Sequence, residues 1–190
     1  MNQTPLKKAL FIDRDGVLIE DTGYPHKISD LKLKTEIFPF LKKMQSAGFL
    51  LFIMTNQSGI GRGYFSEEDY HIFQKELLLR LKNERIYITK TYFCPYFENS
   101  QEKRYQKGAE NRKPRPGMFL QAAQEYQLDL SQSLMVGDKL SDVIELPELR
   151  CFLIQGEEEK DFIHQSTRFY NNYQEIYEAF LREIPEQKEK

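Results

Sequence analysis

Leu10-Phe11-Ile12-Asp13-Arg14-Asp15-Gly16-Val17 is the stretch on which the reading of this chain turns. An apolar run of strand length ends in two carboxylates and then a glycine. Successive strand side chains point to opposite faces, so aspartates at i and i+2 point the same way, off the strand's carboxyl end. Ligands of open parallel sheets bind at that edge. Two carboxylates converging there repel unless a cation sits between them or one carries a proton. Alone, the stretch also suits a solvated acidic turn after an edge strand.

Three further segments argue against the bland reading. Leu50-Leu51-Phe52-Ile53-Met54-Thr55-Asn56-Gln57-Ser58-Gly59 is another apolar run, and it ends in hydroxyls and amides that can serve an anion. Arg112-Lys113-Pro114-Arg115-Pro116-Gly117-Met118 gathers cations at a helix start, where proline is favourable and phosphate is attracted. Leu134-Met135-Val136-Gly137-Asp138-Lys139-Leu140-Ser141-Asp142 ends a third apolar run in Gly-Asp, with a second acid one helical turn later.

In this order the segments resemble the four motifs of the haloacid dehalogenase-like phosphatases. Asp13-Arg14-Asp15-Gly16 matches the first motif, Thr55-Asn56 the second, Lys113 the third, and Gly137-Asp138 with Asp142 the fourth. The longer strings resemble the branch that holds the heptose-bisphosphate and histidinol-phosphate phosphatases, over roughly residues 8–155.

Alternating elements predict an α/β fold, a Rossmann-like parallel sheet with helices on both faces. Strands are expected near 8–13, 49–55, 86–93, 133–137 and 150–154, and helices near 36–47, 66–84, 116–127 and 170–182. Ser66-Glu67-Glu68-Asp69 is a helix-start box. The length of 190 residues fits a single domain, 1–190, with a long polar loop at 94–115 and a docked C-terminal helix near 170–182. Glu157-Glu158-Glu159-Lys160 is a solvated charge run, and the last residues are a frayed tail.

Asp13 is the natural nucleophile, since a carboxylate attacking phosphorus gives an aspartyl-phosphate. Asp15 can protonate the leaving oxygen and then take a proton from the hydrolytic water. That role asks for a raised pKa, which like charge from Asp13 would supply. The resemblance implies Mg2+, held by the Asp13 carboxylate, the Asp15 main-chain carbonyl and the Asp138 carboxylate. Asp142 either orients these ligands from behind or faces solvent. Thr55, with Asn56, Gln57 and Ser58, should hold phosphate oxygens, and Lys113 should balance transition-state charge. Catalysis is thus expected of Asp13, Asp15, Thr55 and Lys113. Arg112 and Lys139 suit the remaining anionic sugar, and Asp21, Thr22, Gly23 and Tyr24 occupy a loop where relatives contact substrate. Arg62 either meets a second phosphate or is a solvated loop arginine. His26, His71 and His164 have no role in this mechanism.

The heptose-bisphosphate branch usually carries a structural zinc in the long loop. Here Cys94-Pro95 is present, but Tyr96, Ala109 and Asn111 stand where the other ligands would be. One thiolate cannot make a four-coordinate site, so no structural zinc is expected. The loop is then either packed through Tyr92, Phe93, Tyr96 and Phe97 or mobile.

Net charge is −2, with no nucleic-acid footprint. Two cysteines make no disulfide framework and fit a reducing cytoplasm. Lys7 and Lys8 precede no apolar signal region, the longest apolar runs are of strand length, and a monomer is the default. The resemblance implies a magnesium-dependent phosphatase that removes the 7-phosphate of a heptose 1,7-bisphosphate, feeding nucleotide-heptose and lipopolysaccharide precursors. Histidinol-phosphate phosphatase or a broad small-molecule phosphatase is the alternative. A non-catalytic phosphate-binding protein is disfavoured by intact Asp13, Asp15, Lys113 and Asp138.

Overall fold

Short apolar strands whose side chains alternate between two buried faces organise the molecule. The computed structural model describes residues 6–155 and 169–183. Its strands are β1 (Ala9–Ile12), β2 (Leu50–Asn56), β3 (Ile88–Cys94), β4 (Leu134–Gly137), β5 (Arg150–Ile154) and β6 (Phe169–Tyr170). They form one six-stranded sheet in the order β3-β2-β1-β4-β5-β6, and every neighbouring pair is parallel. The helices are α1 (Phe38–Ser46), the one-turn α2 (Ser58–Gly61), α3 (Glu67–Asn83), α4 (Gly117–Tyr126) and α5 (Tyr173–Glu183).

The period-2 rule divides the core in two. Leu10, Ile12, Leu51, Ile53, Leu134 and Val136 face α1, α3 and α5, packing on Leu41, Phe73, Leu77, Ile176 and Phe180. Phe11, Phe52, Met54 and Met135 face α4 and its Met118, Phe119 and Ala122. The Phe11 ring meets Phe119 edge-on, with centroids 5.0 Å apart. Truncating such a buried ring costs about 3–5 kcal/mol, so Phe11 secures the strand that carries Asp13.

Five expected strands and four expected helices are present, with ends shifted by up to three residues. The sequence reading missed β6, too short for any periodicity, and the single turn of α2. Ser66 caps α3 as its pattern predicts: Asp69 N–H donates to Ser66 Oγ at 3.1 Å, and Ser66 N–H donates to Asp69 Oδ2 at 2.9 Å. The charge run at 157–160, His164 and the last seven residues lie outside the described residues. Among the described residues no helix is long and apolar enough to cross a membrane.

The chain leaves β1 toward β2 on one side and later returns to β4 on the other. The carboxyl end of β1 is therefore a topological switch point, where an open α/β sheet leaves a crevice. Asp13, Gln57 and Asp138 follow directly from β1, β2 and β4 at this edge, with Asn56 the last residue of β2.

Candidate active site

Asp13 forms the floor of the crevice. Its N–H donates to Val136 O at 2.9 Å, which continues the β1–β4 ladder by one residue. Its carboxylate accepts from the Arg14 N–H at 2.8 Å and lies 2.8 Å from Lys113 Nζ. Lys113 also reaches Asp142 Oδ1 at 2.5 Å, and the Lys113 and Asp142 side chains are 1% and 0% exposed. Lys113 is delivered by Asn56, whose Nδ2 donates to Lys113 O at 3.2 Å while Lys113 N–H donates to Asn56 Oδ1 at 3.0 Å. Burial alone would lower the pKa of this lysine, but the charges of Asp13 and Asp142 raise it. Lys113 thus stays an ammonium next to Asp13. The Asp13 carboxyl is raised by burial despite Lys113.

Asp142 settles between its two readings. Being fully buried, it does not face solvent. Its Oδ2 accepts the N–H groups of Asp138 and Lys139, both at 3.1 Å, which pins the turn that presents Asp138. Two glycines permit this crowding. A Cβ on Gly137 would sit 2.1 Å from Asp142 Cβ, and one on Gly16, at φ +90°, would sit 2.0 Å from Asp138 Oδ2.

Asp13, Asp138 and Asp142 can each place a carboxylate oxygen within 4.8 Å of the others. Asp138 Oδ1 is buried without a hydrogen-bond partner. The Asp138 carboxyl is pushed up to about 7, first by burial and then by the charge of Asp13. An orphaned carboxylate oxygen among like charges is what a hard divalent cation with oxygen ligands relieves. The donor set therefore fits magnesium. Both Asp142 oxygens are already engaged, and Asp13 Oδ1 takes Arg14 N–H and Lys113 Nζ, so Asp138 and the second oxygen of Asp13 are the free carboxylate donors.

Asp15 lies beside this floor in a separate clamp. Arg14 Nε donates to Asp15 Oδ1 at 2.9 Å, and Nη2 donates to Oδ2 at 3.1 Å. Gln57 Nε2 donates to the same Oδ2 at 2.9 Å and to Thr55 Oγ1 at 2.7 Å. The expected upward shift of Asp15 is present, but burial is its largest cause, opposed by Arg14, and repulsion from Asp13 is minor.

A cavity of about 290 Å3 opens over these groups. Of the residues expected to meet substrate, Asp21, Gly23, Tyr24, Asn56, Gln57, Ser58, Arg112, Lys113 and Lys139 line it. Thr22 is exposed and not among the lining residues, and Thr55 is fully buried beneath them. The first turn of α4 is also not among them: Asn111 Oδ1 and Glu110 O crowd Gly117 at its start. Lys139 Nζ closes on Asp21 Oδ2 at 2.6 Å across the rim. Arg62 stacks 3.9 Å from the Phe97 ring centroid and does not line the cavity. His26 stacks on Phe65, centroids 4.8 Å apart, consistent with a structural role.

The sequence reading missed Arg14 and Ser141 and gave Gln57 only to substrate. Ser141 lines the cavity. Arg14 sits inside the first motif, yet a lone arginine between two aspartates carries no signal of which one it grips. Tyr105, buried in a cluster with Ile60, Phe65 and Tyr70, was also missed. It helps pack the long loop, as do Tyr92, Phe93, Tyr96 and, under Arg62, Phe97.

The family model for polynucleotide kinase 3 phosphatase matches residues 8–179. A D-glycero-beta-D-manno-heptose-1,7-bisphosphate 7-phosphatase of Haemophilus ducreyi is 42% identical over 139 residues, covering 73% of this chain and 76% of that protein. The D-glycero-alpha-D-manno-heptose-1,7-bisphosphate 7-phosphatase of Campylobacter jejuni is 38% identical over 177 residues, covering 91% and 95%. The solved structure of D,D-heptose 1.7-bisphosphate phosphatase from B. bronchiseptica, complexed with magnesium and phosphate, superposes with a TM-score of 0.75 at 24% identity, covering 93% of this chain and 99% of that one. With its aspartates, lysine and glycines in the order and places described above, the chain belongs to the haloacid dehalogenase-like phosphatases, phosphoric monoester hydrolases, in the family of the D-glycero-D-manno-heptose-1,7-bisphosphate 7-phosphatases.

Proposed function

We propose that this protein is a magnesium-dependent phosphatase that hydrolyses the 7-phosphate of a D-glycero-D-manno-heptose 1,7-bisphosphate through an aspartyl-phosphate on Asp13. The observation that carries the chemistry is the Asp13 carboxylate itself, buried at the switch point, 2.8 Å from an ammonium held between two acids. The substrate rests on the relatives, which carry this activity in their names at up to 42% identity.

Asp13 attacks phosphorus while Lys113 stays close enough to hold a phosphoryl oxygen as charge shifts. Thr55, expected to hold a phosphate oxygen, instead lies buried beneath the cavity lining and accepts from Gln57 at Oγ1, so its part is to hold Gln57 in place. Asp15 gives its proton to the departing sugar oxygen and then accepts one from the water that releases phosphate from Asp13. Asp13 and Asp138, with the Asp15 carbonyl, would hold magnesium, and Asp142 keeps Asp138 in place. Bound there, magnesium supplies Lewis-acid charge neutralisation between the phosphate and Asp13. Arg112, Lys139 and Asp21 at the rim suit the rest of an anionic, hydroxylated substrate. Asp13, Thr55 and Asp138 gather at one edge of one sheet, which supports a single catalytic domain; the reading further takes it as a monomer acting in the cytoplasm, one step before nucleotide activation of heptose for lipopolysaccharide.

Phosphate release measured with magnesium tests this. The panel is both anomers of heptose 1,7-bisphosphate, fructose 1,6-bisphosphate, histidinol phosphate and a 3′-phosphorylated oligonucleotide. The last arm answers the description of the family model. A kcat/KM preference of about 10²-fold or more for one heptose anomer, about 2.7 kcal/mol, is the expected result. Preference for the oligonucleotide or histidinol phosphate would overturn the substrate assignment.

A further inference from the structure

Arg14 is the largest fully buried side chain of the protein among the described residues and the one cation there besides Lys113. Arginine is almost never fully buried unless paired, and its partner here is a single carboxylate. The fork meets both oxygens of Asp15, the bidentate geometry that fixes orientation as well as charge. The guanidinium is itself immobilised. Nη2 also donates to Pro25 O at 3.2 Å and Gln57 Oε1 at 3.1 Å, and the carbon of the guanidinium lies 4.9 Å from the Phe73 ring centroid. Gln57 is held in turn, its N–H donating to Cys94 O at 2.8 Å.

We propose that Arg14 and Gln57 are positioning residues that orient the Asp15 carboxyl so that Oδ1 is the oxygen exchanging the proton with the leaving group. This rests on the reading of Asp15 as acid and base. Oδ2 receives two donors, Arg14 Nη2 and Gln57 Nε2, whereas Oδ1 receives only Arg14 Nε. Each carboxylate oxygen offers about two lone-pair sites. Oδ2 is filled, and Oδ1 keeps one site for a proton. In the first step a bond forms between an Asp13 oxygen and phosphorus while the ester P–O bond breaks. The electron pair of that bond stays on the sugar oxygen, which takes the proton from Asp15 Oδ1. Without the clamp the carboxyl can rotate, and the proton is no longer held toward the leaving oxygen.

A purely structural arginine, tying the loop at Pro25 to Gln57 and α3, would produce a different pattern. The test compares kcat/KM for heptose 1,7-bisphosphate and for p-nitrophenyl phosphate, whose leaving group departs as a stable anion and needs no proton. Asp15→Asn is the reference: in kcat/KM it should lose roughly 10²–10⁴-fold on the sugar ester and much less on the aryl ester, while kcat falls on both because release of phosphate from Asp13 uses the same base. Arg14→Lys, Arg14→Met and Gln57→Leu should show the same selectivity at about 10–100-fold, with KM for the sugar ester little changed. Arg14→Lys keeps charge and bulk, so it decides the matter if Arg14→Met does not fold. Equal losses on both esters in the Arg14 and Gln57 variants, or no loss on either, would overturn the proposal. If Asp15→Asn lost equally on both, the reading of Asp15 would fail, a failure visible whatever the other variants do.

Discussion

The floor of the crevice and its rim are built on opposite principles. At the floor, Lys113 and Asp142 are 1% and 0% exposed and join Asp13 in one buried charge cluster. At the rim, Lys139 and Asp21 form an equally short pair while remaining 45% and 31% exposed. Burial pushes Asp13 and Asp138 up and makes each floor charge depend on the others. The rim pair sits in water, where such bridges contribute little. The chemistry is therefore concentrated in groups that cannot be changed singly. The cavity wall beside the rim, with Tyr24, Arg112 and Ser141, is where we propose that substrate choice lies.

The comparison is broken most severely at the nucleophile. Asp13→Asn keeps the shape of the floor and removes the attacking oxygen's charge, so kcat should fall about 10⁴-fold or more. Near wild-type turnover would show that the covalent route is wrong. Chelating magnesium should abolish activity to a similar depth, and full activity in excess chelator would remove the metal from the account.

Next comes the difference in stability. Lys113→Met leaves Asp13 and Asp142 buried without their cation and should cost about 3–5 kcal/mol in urea unfolding. Lys139→Met removes an exposed partner and should cost no more than about 1 kcal/mol. Equal costs would mean that floor and rim are not energetically distinct.

A third prediction uses pH. In the metal-free protein the Asp138 carboxyl is pushed up from 3.8 to about 7. The folded state then binds more protons than the unfolded chain between those values, so this group makes stability fall as pH rises through that window. Magnesium must displace the proton, so its affinity should weaken as pH falls below about 7. The magnesium-induced rise in Tm should be larger at roughly pH 8 than at roughly pH 6. An equal rise at both would contradict the crowded-carboxylate picture. The smallest effect belongs to the rim: Asp21→Asn should alter KM by about tenfold or less and leave kcat near wild type.

The same contrast explains what the sequence made legible. The floor could be read because each of its parts ends an apolar run or starts a helix, and strand periodicity fixes where such ends meet. Asp13, Asp138 and the glycines beside them follow from that rule, whereas Lys113 was legible through the resemblance of the string around it and is delivered by Asn56. Arg14 escaped it: its placement depends on Gln57, Pro25 and Phe73, distant in sequence and uninformative alone. Asn56 was assigned to phosphate, but its amide is spent on the Lys113 backbone. That pairing spans 57 positions and leaves no local pattern. Thr22 and Arg62 show the same limit at the rim, where loop geometry decides which neighbours enter the cavity.

Whether Asp13 is the nucleophile is decided by quenching the enzyme in acid during turnover of heptose 1,7-bisphosphate and mapping its peptides by mass spectrometry. One added phosphoryl group is expected on the peptide that contains Asp13, lost on treatment with hydroxylamine and missing in Asp13→Asn. A phosphoryl group on another residue, or none during demonstrated turnover with rapid quenching, would contradict it.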